Sequence, residues 1–421
     1  MSFKSVLLVE DSEQFGKQIK RTIEVTLQAQ VFWCKNDAEL ETALFDPSIS
    51  FNLAICDYHL PDAPEGEAII RLRQAGLLTL VVTGKDDEQT RQDIWKLGVS
   101  DYFHKGETTI FQDVASACRR LSQNRKSKVL IVDDSKVACQ VFSTLLKLQN
   151  YQVDVVHSGE EALTKLTGST DYDLLLTDYN MQGMTGAELC KELRRQPRFS
   201  DLAIIGISSA DTPLMAARFL KSGANDFIVK QSYILEEFFV RVQRNIEMTK
   251  LIRSVRAAAT TDYLTNLKNR RALFSDTKPW FRTQTLAVAV IDIDHFKLIN
   301  DEYGHQAGDW VLQHLAEVLE EHSPDGAMVA RLGGEEFCIV FGDEHDPDET
   351  LENLRVEIAQ PLMPPSDAFP EKITASIGYV FGKLNSLDDA IRDADRLLYQ
   401  AKNEGRNCIR GEYSHPQADP V

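Results

Sequence analysis

Short apolar runs alternate with helical stripes through the first half of the chain. Val6–Val9, Leu53–Cys56, Leu78–Val82 and Tyr102–Phe103 read as strands, and Glu67–Arg73 as one of the helices between them. Strands that alternate with helices predict a parallel sheet covered on both faces, an α/β doubly wound, flavodoxin-like layer. The pattern then recurs. VLLVEDS at 6–12 returns as VLIVDDS at 129–135, LAICDYHLP at 53–61 as LLLTDYNMQ at 174–182, and LGVSDYFHK at 97–105 as SGANDFIVK at 222–230. One long period used once is a domain duplication, whereas solenoid periods run ~20–50 residues.

The pattern changes after the second copy. Leu235, Phe239, Val242, Ile246, Ile252, Val255 and Ala259 recur at steps of three or four with a gap at Thr249, and no Gly or Pro interrupts them. This predicts a helix that leaves the second copy as a stalk: core-facing in its first half, a seam between two protomers in its second. Beyond it, Leu286–Ile291 reads as a strand, and Met328–Leu332 with Glu336–Phe341 as a hairpin joined at Gly333-Gly334.

Charge and composition narrow the picture. The net charge of −18 argues against a nucleic-acid partner, and any polyanionic substrate would need metal ions or local cations. Seven scattered cysteines form no Cys-x-x-Cys pair, so neither a zinc site nor a disulfide framework is expected. With no apolar run near the ~20 residues of a membrane span and no signal-peptide layout in MSFKSVLLVEDS, the expected location is the cytoplasm, with no membrane partner.

In a parallel sheet, residues just past the strands converge on one edge. Glu10, Asp11 and Asp57 all fall there, where three carboxylates would repel one another unless a hard cation such as Mg²⁺ sits among them. Thr83 and Lys105 close two further strands. Asp133, Asp134, Asp178, Ser209 and Lys230 follow the same order in the second copy. This constellation resembles the response-regulator receiver domain. The resemblance implies Asp57 and Asp178 as phosphoacceptors and one Mg²⁺ on each acidic pair. It also implies phosphate sensing by Thr83, Lys105, Ser209 and Lys230, with Tyr102 or Phe227 as the switch aromatic. A histidine kinase or phosphotransfer protein would be the partner. Gly106 and Gln231 stand where many receivers have proline, so that loop is expected to differ in shape.

The last third carries a second acidic centre. The strand from Leu286 ends in Asp292-Ile293-Asp294, and a hairpin beside it would bring Glu335 near Asp292. Two such carboxylates can share two divalent ions about 3.5–4 Å apart, which activate a hydroxyl and neutralise a leaving pyrophosphate. Gly333 and Gly334 let a nucleotide approach the backbone. Lys297 can reach developing phosphoryl charge, and Lys402 and Arg406, four apart, are expected on one helix face to grip outer phosphates. Asp309 can accept two adjacent guanine donors, and Asn300 can both donate and accept. Residues 260–410 look like a GGDEF domain in its Gly-Gly-Glu-Glu-Phe form, an α+β palm-like fold related to nucleotidyl cyclases. The resemblance implies a diguanylate cyclase using GTP and two Mg²⁺ or Mn²⁺ ions. Asp292, the Ile293 carbonyl, Glu335 and Glu336 would bind metal, with Glu335 also the proton acceptor. Lys297 would stabilise the transition state, Asn300, His305 and Asp309 would touch substrate, and Phe296 would wall the pocket. An Arg-x-x-Asp product-binding pair common in the family is replaced by Pro324 and Ala327.

The expected layout is therefore receivers at 1–123 and 127–247, a stalk at 248–260, a cyclase domain at 261–411 and a disordered tail at 412–421, with the polar QNRKSK segment at 123–128 as a joint. The expected working unit is a homodimer, since one domain holds one GTP. The competing reading is a non-catalytic protein that binds GTP or cyclic di-GMP, or relays phosphate.

Overall fold

The computed structural model describes residues 3–414 except 170, 210–212, 231–232, 364–365 and 367–368. Gln231, with the prolyl position it fills, and the tail beyond Ser414 lie outside the described residues. Two bodies divide at Ile252/Arg253.

The first body holds two five-stranded parallel sheets. One contains β1 (Ser5–Val9), β2 (Gln30–Cys34), β3 (Leu53–Asp57), β4 (Leu78–Thr83) and β5 (Asp101–His104), ordered β2-β1-β3-β4-β5. The other contains β6 (Lys128–Val132), β7 (Gln152–Val156), β8 (Leu174–Asp178), β9 (Ala203–Ser208) and β10 (Asp226–Val229), in the equivalent order β7-β6-β8-β9-β10. Each sheet is packed on both faces, as continuous apolar strands require. The serine of each repeated motif has a local job. Ser12 and Ser135 accept bonds from the amides of Phe15 and Ala138 and so cap the helices Glu13–Leu27 and Lys136–Leu148. The acids before them are thereby fixed in the strand-to-helix turn.

The two sheets are joined more intimately than a polar linker implies. Asn124 is the last residue of the helix Ile110–Asn124, and both it and Ser127 are buried. Asn124 Nδ2 donates to Gln149 O at 2.9 Å, Ser100 Oγ donates to Leu148 O at 2.7 Å, and Gln149 Nε2 returns a bond to Ser100 O. Asn150 Nδ2 donates to Leu121 O at 2.8 Å, and Lys250 Nζ donates to Ser127 Oγ at 2.6 Å. The joint predicted at 123–128 is thus an interface. A composition rich in polar residues described their partners as well as it would have described water.

The predicted stalk is one helix, Leu235–Thr260. Phe238, Val242, Ile246 and Thr249 are its buried residues, so Thr249 fills the gap in the apolar stripe and Phe238 joins it ahead of Phe239. Phe239, partly buried against the same core, also packs against Trp95 of the first sheet's layer, ring centroids 5.8 Å apart. Glu236 lies beside it and accepts from Arg91 Nε and Trp95 Nε1, each at 2.7 Å. In the second half, Met248, Ile252 and Val255 are exposed.

The second body is built on a six-stranded sheet. Its strands are β11 (Lys268–Asn269), β12 (Leu286–Ile293), β13 (Met328–Gly333), β14 (Glu336–Gly342), β15 (Ala375–Gly382) and β16 (Ile409–Ser414), ordered β11-β13-β14-β12-β15-β16. β12 is buried along all eight residues and runs antiparallel to both neighbours. Ala287, Ala289, Ile291 and Ile293 face the core that includes the helices His305–His322 and Pro347–Ile358. Leu286, Val288 and Val290 face the helix Leu387–Asn403. The domain extends past Gly411: Glu412, Tyr413 and Ser414, expected in the tail, pair in β16 beside β15.

Candidate functional site

The period of two along β12 continues into Asp292, which therefore lies on the face of the helix Leu387–Asn403. There its Oδ2 meets Lys402 Nζ at 2.7 Å. Across the sheet, Asp292 pairs with Glu336, so the two side chains stand side by side. Burial pushes the Asp292 carboxyl up from its usual range. Lys402 opposes this, while Glu335 and Glu336 add to it. Glu336 is raised as well, first by burial and then by Asp395, against the pull of Lys402 and Arg270. Four acids and two bases thus act on one sheet edge. An all-oxygen set under mutual repulsion suits hard divalent cations.

Glu335 occupies the hairpin turn itself. Gly333 pairs with Glu336, so the two-residue turn is Gly334–Glu335 rather than the expected Gly333-Gly334. Gly334 sits at φ +57°, a left-handed conformation that favours glycine. The turn is braced by Arg331, whose Nε and Nη2 donate to Gly334 O at 3.0 and 2.7 Å while Nη1 meets Asp262 at 2.9 Å. Sequence reading missed this brace. Its only trace was an arginine two residues before paired glycines.

The remaining predicted residues fall on the helices that follow β12. Phe296, partly buried, packs against the core as a pocket wall would. Lys297, on the helix Phe296–Tyr303, is exposed. His305 opens the helix His305–His322, and Asp309 is exposed one turn on. Asn300 lies against Gly308, where an added Cβ would come within 2.0 Å of Asn300 Oδ1. Gly308 thus lets the helix that carries Asn300 approach the helix that carries Asp309, and it was not singled out from sequence. The expected pairing of Lys402 and Arg406 on one helix face is incorrect. The helix ends at Asn403, and Arg406 lies in the following turn at φ +63°.

The first body carries two acidic centres of the same construction. Glu10, Asp11 and Asp57 bring carboxylate oxygens within 4.8 Å of one another, as do Asp133, Asp134 and Asp178. Lys105 Nζ lies 2.6 Å from Asp57 and 2.9 Å from Glu10. Lys230 Nζ lies 2.6 Å from Asp133 and 3.0 Å from Asp178. Burial raises the Glu10 carboxyl to about 7 despite Lys105, whose Nζ lies 2.9 Å from Oε2. Burial likewise raises Asp178, with Lys230 in opposition. Buried carboxylates clustered this closely fit a hard cation.

The hydroxyl position in the second centre needs correction. Asp57 pairs with Val82 and Asp178 with Ile207, so the residue that matches Thr83 is Ser208, not the exposed Ser209. The lysines agree: Lys105 N donates to Thr83 O and Lys230 N to Ser208 O, both at 2.8 Å. Two consecutive serines hid a one-residue slip. Tyr102 packs edge-on to Trp95 at 5.8 Å, and Phe227 lies 6.1 Å from Phe219.

Residues 259–408 match the family model described as diguanylate cyclase, GGDEF domain, and residues 129–239 match the response regulator receiver domain. The response regulator PleD of Caulobacter vibrioides is 28% identical over 316 residues, spanning 71% of this chain and 68% of that protein. Diguanylate cyclase DgcM of Escherichia coli is 38% identical over 170 residues, 39% of this chain and 41% of that one. A solved two-component response regulator/GGDEF domain protein is 32% identical with a TM-score of 0.51, covering 59% of this chain and 99% of its own. No described helix is long and apolar enough to cross a membrane.

Proposed function

We propose that this chain, which carries a GGDEF domain and a receiver domain, is a phosphorylation-regulated diguanylate cyclase with a receiver-type module at 1–123 as well as at 127–247. It condenses two GTP into cyclic di-GMP and releases two pyrophosphates. The observation that carries this reading is the pairing of Asp292 with Glu336 across neighbouring strands, with Glu335 in the adjoining turn and Lys402 on Asp292.

Asp292, the Ile293 carbonyl, Glu335 and Glu336 would hold two Mg²⁺ or Mn²⁺ ions, which when bound acidify the attacking ribose hydroxyl and neutralise the leaving pyrophosphate. Glu335, on an open turn, accepts the hydroxyl proton. Lys297 stabilises charge on the reacting phosphoryl group. Lys402 and Arg406 hold the outer phosphates from two different elements, a helix end and the turn after it. Asn300 and Asp309 read the guanine edge, with His305 as a further contact and Phe296 behind the base. Each domain supplies one GTP, so product forms between two domains facing one another in a homodimer.

In the first body, one Mg²⁺ would rest on Glu10, Asp11 and Asp57, and another on Asp133, Asp134 and Asp178. A phosphoryl group from a histidine kinase or phosphotransfer protein goes to Asp57 and Asp178, where Lys105 and Lys230 already point. Both sites being complete, a small-molecule phosphodonor with Mg²⁺ is expected to label each. Asp57→Asn and Asp178→Asn should each remove one of two equivalents and the double variant both, as read by intact-protein mass spectrometry. A single variant that removes all labelling would leave only one working acceptor.

Chromatography of products from GTP and Mg²⁺ tests the activity, and a GTP-binding protein that yields no cyclic dinucleotide would refute it. Product inhibition through the family's usual surface is not expected. Pro324 and Ala327 border the turn before β13 and offer neither guanidinium nor carboxylate. Turnover should be unchanged at micromolar added product, and inhibition lost on mutating this turn would contradict the expectation.

A further inference from the structure

Two aspartates flank Ile293 at the end of β12, and they meet different partners. Asp292 faces Lys402. Asp294, 4% exposed, accepts from Ser376 Oγ at 2.6 Å, from Thr374 Oγ1 at 2.8 Å and from Asn407 N at 3.0 Å. A buried carboxylate gripped by three donors has little freedom to turn toward a metal, since turning would orphan them.

The third donor belongs to the turn that carries Arg406. Arg406 and Asn407 have φ of +63° and +45°, and neither is glycine. L-residues adopt this region at a cost, so contacts from outside must hold the turn. Asp294 holds the Asn407 amide from below. Arg355 Nη1 donates to Asn407 Oδ1 at 2.7 Å, and Ile377 N donates to Cys408 O at 3.1 Å as β16 begins. The Arg406 side chain itself is exposed.

We infer that Asp294 is a positioning residue for the substrate: it ties the Arg406 turn to the strand end that bears Asp292. One strand end thereby sets the spacing between the carboxylate that binds metal and the guanidinium that takes the outer phosphates. The inference rests on the phosphate-binding role of Arg406 proposed above.

The test is a double-mutant cycle on the full chain, with kcat and KM measured for GTP in Mg²⁺. Arg406→Ala is expected to raise KM about tenfold, and Asp294→Asn to approach the same value. Ser376→Ala, which removes one donor that orients the carboxylate, should give a smaller rise of the same kind. In the Arg406→Ala background neither change should add to the loss. The inference is overturned if either multiplies the Arg406→Ala loss, or if Asp294→Asn lowers thermal stability while leaving KM unchanged. Should Asp294→Asn fail to fold, the Ser376→Ala cycle decides in the same way. An Arg406→Ala variant with normal KM would remove the phosphate-binding role itself, and this inference with it.

Discussion

Replacing Glu335 by glutamine is expected to lower cyclic di-GMP formation by about 10²–10⁴-fold while leaving the fold intact, the range for loss of a general base. The substitution keeps volume and one hydrogen-bonding oxygen but removes the charge. It falls on an exposed turn held by glycine at Gly334 and braced by Arg331, so no core packing is disturbed. The variant loses a proton acceptor and one carboxylate of the set around Asp292 at once. Product chromatography from GTP and Mg²⁺ measures the effect, and thermal unfolding checks the fold. Turnover within a few-fold of wild type would remove Glu335 from the chemistry and with it the proposed reaction path.

If the proposed homodimer is held through the long helix, lysine at both Met248 and Val255 is expected to separate its protomers and reduce turnover roughly 10²-fold at micromolar protein, because a tethered partner acts at millimolar effective concentration. Both side chains are more than half exposed on a helix whose preceding turns are buried, at 57% and 59%. Ile252 lies between them at helical spacing, so the three line an exposed apolar face distinct from the buried stripe of Phe238, Val242, Ile246 and Thr249. Like charges along such a seam repel across a two-fold axis. Sedimentation gives the oligomeric state, and specific activity against protein concentration gives the reaction order. A double variant that stays dimeric and active would place the contact between protomers elsewhere.

Much of the fold was legible because its signals are local. Strand runs and the duplicated motifs depend on neighbours in sequence. What escaped reading depends on where local rules stop or where distant segments meet. Arg406 looked like a continuation of the helix because its spacing from Lys402 fits one. Gly405, at φ +118°, was the available sign that the helix had already ended. Ser208 and Ser209 are indistinguishable until strand register is known. Gly308 and Asp294 matter through partners that alternation alone does not identify.

The hydrogen bonds that knit Ser100, Asn124, Gln149 and Asn150 together have a consequence for how this protein can be taken apart. A truncation that begins at the second module would strip Trp95 from Phe239 and Arg91 from Glu236, and would expose an apolar patch at the root of the long helix. The amino-terminal module is therefore no detachable accessory. Shortened versions should prove sticky and poorly behaved, and chimaeras made by exchanging front halves would have to carry this seam with them.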